Sequence, residues 1–517
     1  MKIMSDIVKK TAYLYGDREA IVFEGNRLSY NSLNTRVNKL ANYLVSLNLP
    51  GTKHVAILAE NCHQYLEVYF AAAKSGHVVT PLNFRLSSVE LIEILKNAES
   101  KLLFYGKGYE DTAREIVAQA GIGKLVSIES TEQGSDYYEA LLDKFPDTEP
   151  TVEVKADQTA VLMYTGGTTG KSKGVIVSHR NIITAAVSSS MQFKYTYSDS
   201  TCFILPLFHI SFWPIFPMLL GGGRVVIQRV PDLTQTLELI QAEKCTHINA
   251  VPTLYNWMLQ RPDIETFDLS SLRWITYGGS PIAPELLKKL VKKFGNIMVQ
   301  IYGMTESAGP ITYLQPEDHV VEGPPELCKR LRSIGKDCLL AEIKVVNEKG
   351  QNVASGEVGE IIVKGDMMMR GYWKNPEQTS EALRDGWYYS GDVATVDEHG
   401  YIYLVDRKKD MIITGGENVY PREVEDVLYE HPAVMEVAVI SVPDEKWGEA
   451  VKAVIVLKEG MKADEQEMIQ FAKSRLAGYK SPKTVDFKES LPKTAVGKIS
   501  RNELKKQYWG GKDRLIN

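Results

Sequence analysis

A chain of 517 residues is longer than one hydrophobic core supports, so two or more domains are expected. Its composition, 44% hydrophobic, 24% charged and 9% aromatic, is that of a soluble enzyme, and a net charge of −5 gives neither nucleic acid nor an anionic membrane a reason to bind. Five scattered cysteines (62, 202, 245, 328 and 338), without a C-x-x-C pair or a His at ligand spacing, argue against a zinc site and read as buried thiols of a reduced, cytoplasmic compartment.

The first residues, "MKIMSDIVKKTAYLYGD", lack the apolar stretch of a secretory signal. Leu33, Val37, Leu40, Ala41 and Leu44 mark one face of a helix. Strands and helices then alternate: "HVAILA", "YLEVYFAAAKSG", "VVTPLN", "SSVELIEILKNA", "KLLFYG", "DTAREIVAQAG", "KLVSIES". That order predicts a mostly parallel sheet covered by helices. The run "FILPLFHISFWPIFPMLLGGG" is interrupted by three prolines and a histidine, so it reads as core and pocket wall, with no transmembrane segment expected. A second alternation, from "RVVIQRV" to "MVQIYGMTES", predicts a second α/β subdomain. After Ile334, short β segments separated by Gly, Asn and Asp predict a small β-rich subdomain. Beyond Asp410 a compact α+β piece follows, its first helix, "PREVEDVLYEH", opened by Pro421. The fold class is α/β, with a large unit over 1–408 and a small α+β unit over 409–517. The last residues, "DRLIN", carry no peroxisomal or ER address.

The stretch "MYTGGTTGKSKGVIVSHRN", Met163 to Asn181, approaches a Walker A loop but has Thr165 where the pattern wants its first Gly. A Walker loop leads from a strand into a helix, whereas here "AVLMYT" is followed by the strand-like "GVIVSH", and a helix begins only near "HRNIITAAV". The loop is therefore expected in a hairpin. Its hydroxyls, glycines and lysines form a cluster of donors suited to a polyphosphate.

"TGGTTGKSKG", Thr165 to Gly174, resembles the phosphate loop of the adenylate-forming superfamily of acyl-CoA synthetases, luciferases and peptide-synthetase adenylation domains, usually (S/T)-S-G-T-T-G-x-P-K-G. The chain departs from it at Gly166 and Ser172. Further motifs follow in the family's order: "GGSPI" (Gly278 to Ile282), "YGMTES" (Tyr302 to Ser307), "YYSGD" (Tyr388 to Asp392, with Ser390 for Thr), "VDRKKDMIITGGENVYPREVE" and "PKTAVGKISR". The match spans nearly the whole chain.

The resemblance implies two half-reactions: a carboxylate attacks the α-phosphorus of ATP and expels pyrophosphate, then a thiol takes the acyl group from the adenylate. It implies an ATP site of Thr165, Gly166, Gly167, Thr168, Thr169, Gly170 and Lys173 on the phosphates, and Gly279, Ser280, Pro281, Tyr302, Gly303 and Met304 around the nucleotide. Thr305 falls to the α-phosphate, Glu306 to Mg2+, Asp392 to the ribose hydroxyls and Arg407 to ribose or phosphate. Lys498 is the adenylation lysine, Lys409 the hinge, and Thr414, Gly415, Gly416 and Glu417 line the coenzyme A tunnel; the two glycines also suit an ordinary turn. His209 stands beside the substrate carboxylate, with Phe212, Trp213 and Ile301 as pocket walls, although aromatics in an apolar run also suit plain core. Acetate-specific members carry Trp where this chain has Gly303, so an open pocket and an acid larger than acetate are expected: medium- or long-chain aliphatic, or aryl.

The implied activity is that of an acid:CoA ligase. A stand-alone enzyme loading a carrier protein, a luciferase-type oxidase and a non-catalytic acyl or nucleotide sensor are the alternatives, with a P-loop motor or kinase more remote. The acid, the pathway and any homo-oligomer are left open.

Overall fold

The computed structural model describes residues 1–129, 136–165, 172–280, 282, 284–407, 410–444, 446–493 and 499–509, with the backbone alone at Ser211. Two mostly parallel sheets come first, as the alternation predicts. One has seven strands in the order Asp136–Tyr137, Lys124–Ser127, Leu102–Tyr105, His54–Leu58, Val78–Pro81, Thr159–Thr165 and Lys173–Ser178. Only its last pair is antiparallel. Strand His54–Leu58 is buried at every residue, the mark of a sheet covered on both faces. The neighbouring helix His63–Ser75 is likewise buried throughout and closes on Gly76 in the left-handed region.

Glu67 on that helix is fully buried and ionised. Its carboxylate takes Arg36 Nε at 2.8 Å, His63 Nδ1 at 2.7 Å and the Tyr138 hydroxyl at 2.7 Å. Burial alone would raise its pKa, but His63 and Arg36 outweigh burial and hold it down at about 2.

The second sheet has nine strands, with a parallel centre of Met298–Met304, Trp274–Gly278, His247–Ala250, Ser200–Phe203, Arg224–Ile227 and Glu19–Phe23. Antiparallel strands Gly309–Leu314, Lys336–Asp337 and Asn26–Ser29 finish its two edges. The N-terminal hairpin Glu19–Phe23/Asn26–Ser29 and the helix Asp6–Tyr15 have no counterpart in the sequence reading. Ile21–Phe23 pairs with Val225–Ile227, a partner about two hundred residues away that no local pattern announces.

The run around His209 is core as expected, ending in the short helix Ile215–Leu220, and among the described residues no helix is long and apolar enough to cross a membrane. Beyond Ile334 lies the expected antiparallel sheet of Glu342–Val346, Gly359–Lys364, Trp387–Val396, Leu383–Arg384 and Ile402–Arg407. A fourth sheet follows, of Ile412–Thr414, Glu417–Val419, Val434–Asp444, Gly448–Leu457 and Thr484–Phe487, with the helices Pro421–Tyr429 and Glu465–Lys473 packed on it. Its core, centred on Val424, Leu428, Val437, Val439 and Ile455, is separate from the main one.

Candidate active site

Strand Thr159–Thr165 turns back antiparallel onto Lys173–Ser178, with Thr165 opposite Lys173. Helix His179–Phe193 starts only after that second strand, its first turn capped by Ser178 Oγ accepting the Asn181 N–H at 3.2 Å. The strands on either side of residues 166–171 therefore form an antiparallel pair, and among the described residues no helix follows before His179, unlike the strand-to-helix order of a Walker loop. Asn181 Nδ2 donates to the carbonyls of Asp366 (2.8 Å) and Met368 (2.7 Å), drawing a distant segment onto the hairpin. That segment runs along the second strand: Ile176 N donates to Gly371 O at 2.9 Å and Trp373 N to Gly174 O at 2.7 Å. Tyr372 is thereby set beside the loop, its ring 5.4 Å from the Lys173 ammonium.

The Tyr372 hydroxyl donates to Glu306 Oε1 at 3.0 Å. Glu306 sits in the turn Thr305–Ser307, at the C-terminal end of strand Met298–Met304, where open parallel sheets place their ligands. Met304 N donates to Ser307 Oγ at 3.0 Å and that hydroxyl donates to Gly309 O at 2.6 Å, which fixes the turn. Thr305 is buried and Glu306 partly so. Burial raises the Glu306 pKa, with the Tyr372 hydroxyl and the Arg407 charge pulling the other way. Among the described residues no cation pairs with Glu306 within ion-pair distance. A lone hard carboxylate that burial discourages from ionising fits a magnesium ion shared with phosphate oxygens.

Two further motifs close on the same place. The Tyr302 hydroxyl donates to Asp392 Oδ2 at 2.6 Å, and Arg407 Nε lies 3.3 Å from Asp392 Oδ1. Asp392 and Arg407 are cross-strand partners of strands Trp387–Val396 and Ile402–Arg407. Ser390 keeps the hydroxyl of the usual Thr, and its Oγ accepts the Asp392 N–H at 3.0 Å. Lys173, Tyr302, Thr305, Glu306, Asp392 and Arg407, spread over more than two hundred residues, thus form one neighbourhood.

The family model of the AMP-binding enzyme matches residues 8–373, and that of the AMP-binding enzyme C-terminal domain matches residues 423–498. The chain belongs to the AMP-binding enzymes. It is 38% identical over 491 residues to feruloyl-CoA synthase of an Amycolatopsis species, covering 95% of this chain and 96% of that one. It is 36% identical over 484 residues to the long-chain-fatty-acid–CoA ligase FadD13 of Mycobacterium tuberculosis, covering 93% of each. Among solved structures it resembles ATP-bound MatB from Rhodopseudomonas palustris, with a TM-score of 0.86, 29% identity and coverage of 97% of this chain and 99% of that one.

Other expected positions of this AMP-binding enzyme have a more local setting. Gly303 is exposed, and a Cβ there would stand 2.3 Å from Gly309 O and 2.9 Å from Pro310 Cα, so the strand opposite it requires the glycine. Phe212 packs edge-on to Phe216 and against Tyr69, Trp213 stacks on Phe193, and both are buried in the core with Ile301. His209 is partly buried, and the chain just before it is held by Asn61, whose Nδ2 donates to Leu205 O and whose Oδ1 accepts the Leu207 N–H. Gly279 and Ser280 follow strand Trp274–Gly278 directly. Thr414, Gly415, Gly416 and Glu417 make a two-residue hairpin turn with both glycines at positive φ, the pattern of a type I′ turn. A Cβ on Gly415 would meet the Trp447 ring at 2.6 Å. No described hydrogen bond or ion pair links this hairpin to the Glu306 neighbourhood.

Gly166, Gly167, Thr168, Thr169, Gly170, Pro281, Lys409 and Lys498 lie outside the described residues. Tyr372 is the member of the site that the sequence reading missed. "MRGYWKNPE" carries no pattern of titratable or donor residues, and only its pairing with strand Lys173–Ser178 brings Tyr372 in.

Proposed function

We infer that this chain is an ATP-dependent, AMP-forming acid:CoA ligase acting on an aryl acid or a medium- or long-chain fatty acid. The observation that carries this reading is the convergence of Tyr302, Asp392 and Arg407 beside Glu306, Tyr372 and Lys173. Asp392 offers its carboxylate to two ribose hydroxyls, with Tyr302 and Arg407 holding its orientation. Thr165 and Lys173, facing each other at the mouth of the hairpin, receive the β- and γ-phosphates. Thr305 donates to the α-phosphate. Glu306 would hold a magnesium ion, which would supply charge neutralisation for the departing pyrophosphate. A carboxylate oxygen of the acid attacks the α-phosphorus, the bond to the β-phosphate oxygen breaks, and Lys498 stabilises the charge that builds up on the phosphoryl oxygens. In the second step the coenzyme A sulfur attacks the acyl carbon and AMP leaves with the bonding pair.

The reading divides the chain into 1–408 and 409–517, with Lys409 as hinge, and assigns Thr414 to Glu417 to the coenzyme A path and His209 to the carboxylate. Its support is the separate apolar core beyond residue 410 and the separate family model for that part. Acid-dependent pyrophosphate release, with AMP as co-product and coenzyme A as accelerator, tests it. Release of ADP, or no nucleotide cleavage with any acid, would refute it.

A further inference from the structure

Residues 370–373 run as an added strand along Lys173–Ser178. Arg370 N donates to Ile176 O at 3.0 Å, Ile176 N to Gly371 O at 2.9 Å and Trp373 N to Gly174 O at 2.7 Å, with Tyr372 opposite Val175. Consecutive side chains of an extended chain leave on opposite faces. Trp373 goes to the end of helix Ser88–Ala98, where its Nε1 donates to Asn97 O at 2.9 Å, and its ring centre lies 5.1 Å from that of His54. The next residue, Lys374, pairs with Glu99 at 2.8 Å. Tyr372 goes the other way, to Glu306.

The segment holds Glu306 twice. Met369 N donates to the Glu306 carbonyl at 2.7 Å, and the Tyr372 hydroxyl donates to its carboxylate at 3.0 Å. The Lys173 ammonium lies over the ring of the same tyrosine, 5.4 Å from its centre. We propose that Tyr372 is a positioning residue with two separable functions: its hydroxyl orients Glu306 toward a divalent cation bound with ATP, and its ring holds Lys173 toward the phosphates. The proposal rests on the ligase reading above. Trp373 and Lys374 fix the strand from its far face, so the phenol is placed by folding and not by the groups that it orients. A neutral donor suits the task. An ammonium in its place would neutralise Glu306 and compete with the cation for it. Hydrogen-bonded partners of metal-binding side chains matter to this degree elsewhere, where losing one costs about 10–100-fold in metal affinity.

The test is equilibrium binding of ATP to the full chain without any acid, so that nothing turns over, once in EDTA and once in saturating magnesium. The ratio of the two Kd values measures the cation's share. Tyr372→Phe keeps the ring and its packing but loses the hydroxyl: the ratio is expected to fall by about tenfold, with the Kd in EDTA within about twofold of wild type. Tyr372→Leu also loses the ring face, and its Kd in EDTA is expected to rise by about threefold, the size of a cation–π contact. Trp373→Phe loses the Asn97 bond on the far face and is expected to lower the melting temperature while leaving both Kd values within about twofold. An unchanged ratio in Tyr372→Phe, equal weakening in EDTA and in magnesium, or a Trp373→Phe that lowers the ratio as much would overturn the proposal. So would a wild type whose ATP binding magnesium does not strengthen. Failure of the ligase reading shows separately, as a wild type that binds ATP with help from magnesium yet releases no pyrophosphate with any acid.

Discussion

Asp392 and Arg407 face each other across two antiparallel strands, with Arg407 Nε 3.3 Å from Asp392 Oδ1, while the other carboxylate oxygen takes the Tyr302 hydroxyl at 2.6 Å. A carboxylate held on both sides is preorganised, so a ligand with paired hydroxyls finds it already oriented.

Asp392→Asn keeps the shape but loses the ability to accept from two hydroxyls at full strength. The KM for ATP is expected to rise by about tenfold or more, the scale of one charged hydrogen bond, with a smaller fall in kcat. Tyr302→Phe is expected to act in the same direction and more weakly. Initial rates over a range of ATP concentrations decide it; a fall in kcat with KM unchanged would mean that Asp392 does not hold the nucleotide.

Glu306 carries opposite costs in activity and stability. Its pKa is raised in the folded protein, chiefly by burial, so it favours folding below the ordinary carboxylate pKa and loses that contribution as pH rises through the raised value. Glu306→Gln is therefore expected to melt higher than wild type at pH 7 to 8 without ligands, with the gap closing toward acid pH. Pyrophosphate release should meanwhile fall by about a hundredfold or more, as for loss of a group stabilising the transition state. Thermal melts across pH, beside rates at several magnesium concentrations, test both halves of the statement.

Gly303→Ala forces a methyl group onto the backbone of Gly309 and Pro310. A loss of about 1–3 kcal/mol in stability is expected, as for other overpacked sites, and activity should fall alike for short and long acids. Selective loss of long acids with unchanged stability would mean that Gly303 acts through the acyl pocket alone.

Glu67 tests the main core. Its pKa is depressed to about 2, so its contribution is present above the ordinary carboxylate pKa and is lost as pH falls toward that value. Glu67→Gln leaves Arg36 paired with Glu139, to which its Nη1 and Nη2 donate at 2.8 and 2.7 Å, but takes the charged acceptor from Arg36 Nε, His63 and Tyr138, and about 1.5–3 kcal/mol of destabilisation at neutral pH is expected, the scale of a hydrogen bond to a charged group. Denaturant unfolding at pH 7 and near pH 3 measures it; the difference between variant and wild type should shrink at the lower pH.

Much of the site could be read from the sequence because its residues sit in short, contiguous motifs. The hairpin at Thr165 and Lys173 followed from β-branched residues after the loop, and the small β sheet from its turn residues. What escaped depends on pairing over long distances. Tyr372 reaches Glu306 only because residues 371–373 pair with strand Lys173–Ser178. The hairpin Glu19–Phe23/Asn26–Ser29 extends a sheet whose neighbouring strand lies at Arg224–Ile227. The close approach that Gly303 permits was not legible either, since the atoms concerned belong to a backbone six residues on.

The most direct test of the central claim is pyrophosphate release from ATP and magnesium across a panel running from acetate through straight-chain acids to benzoate and ferulate, with and without coenzyme A. The ligase reading predicts AMP and pyrophosphate with one class of acid larger than acetate, accelerated by coenzyme A and accompanied by acyl-CoA. Release that coenzyme A does not accelerate, without acyl-CoA, would contradict it and point to another acceptor.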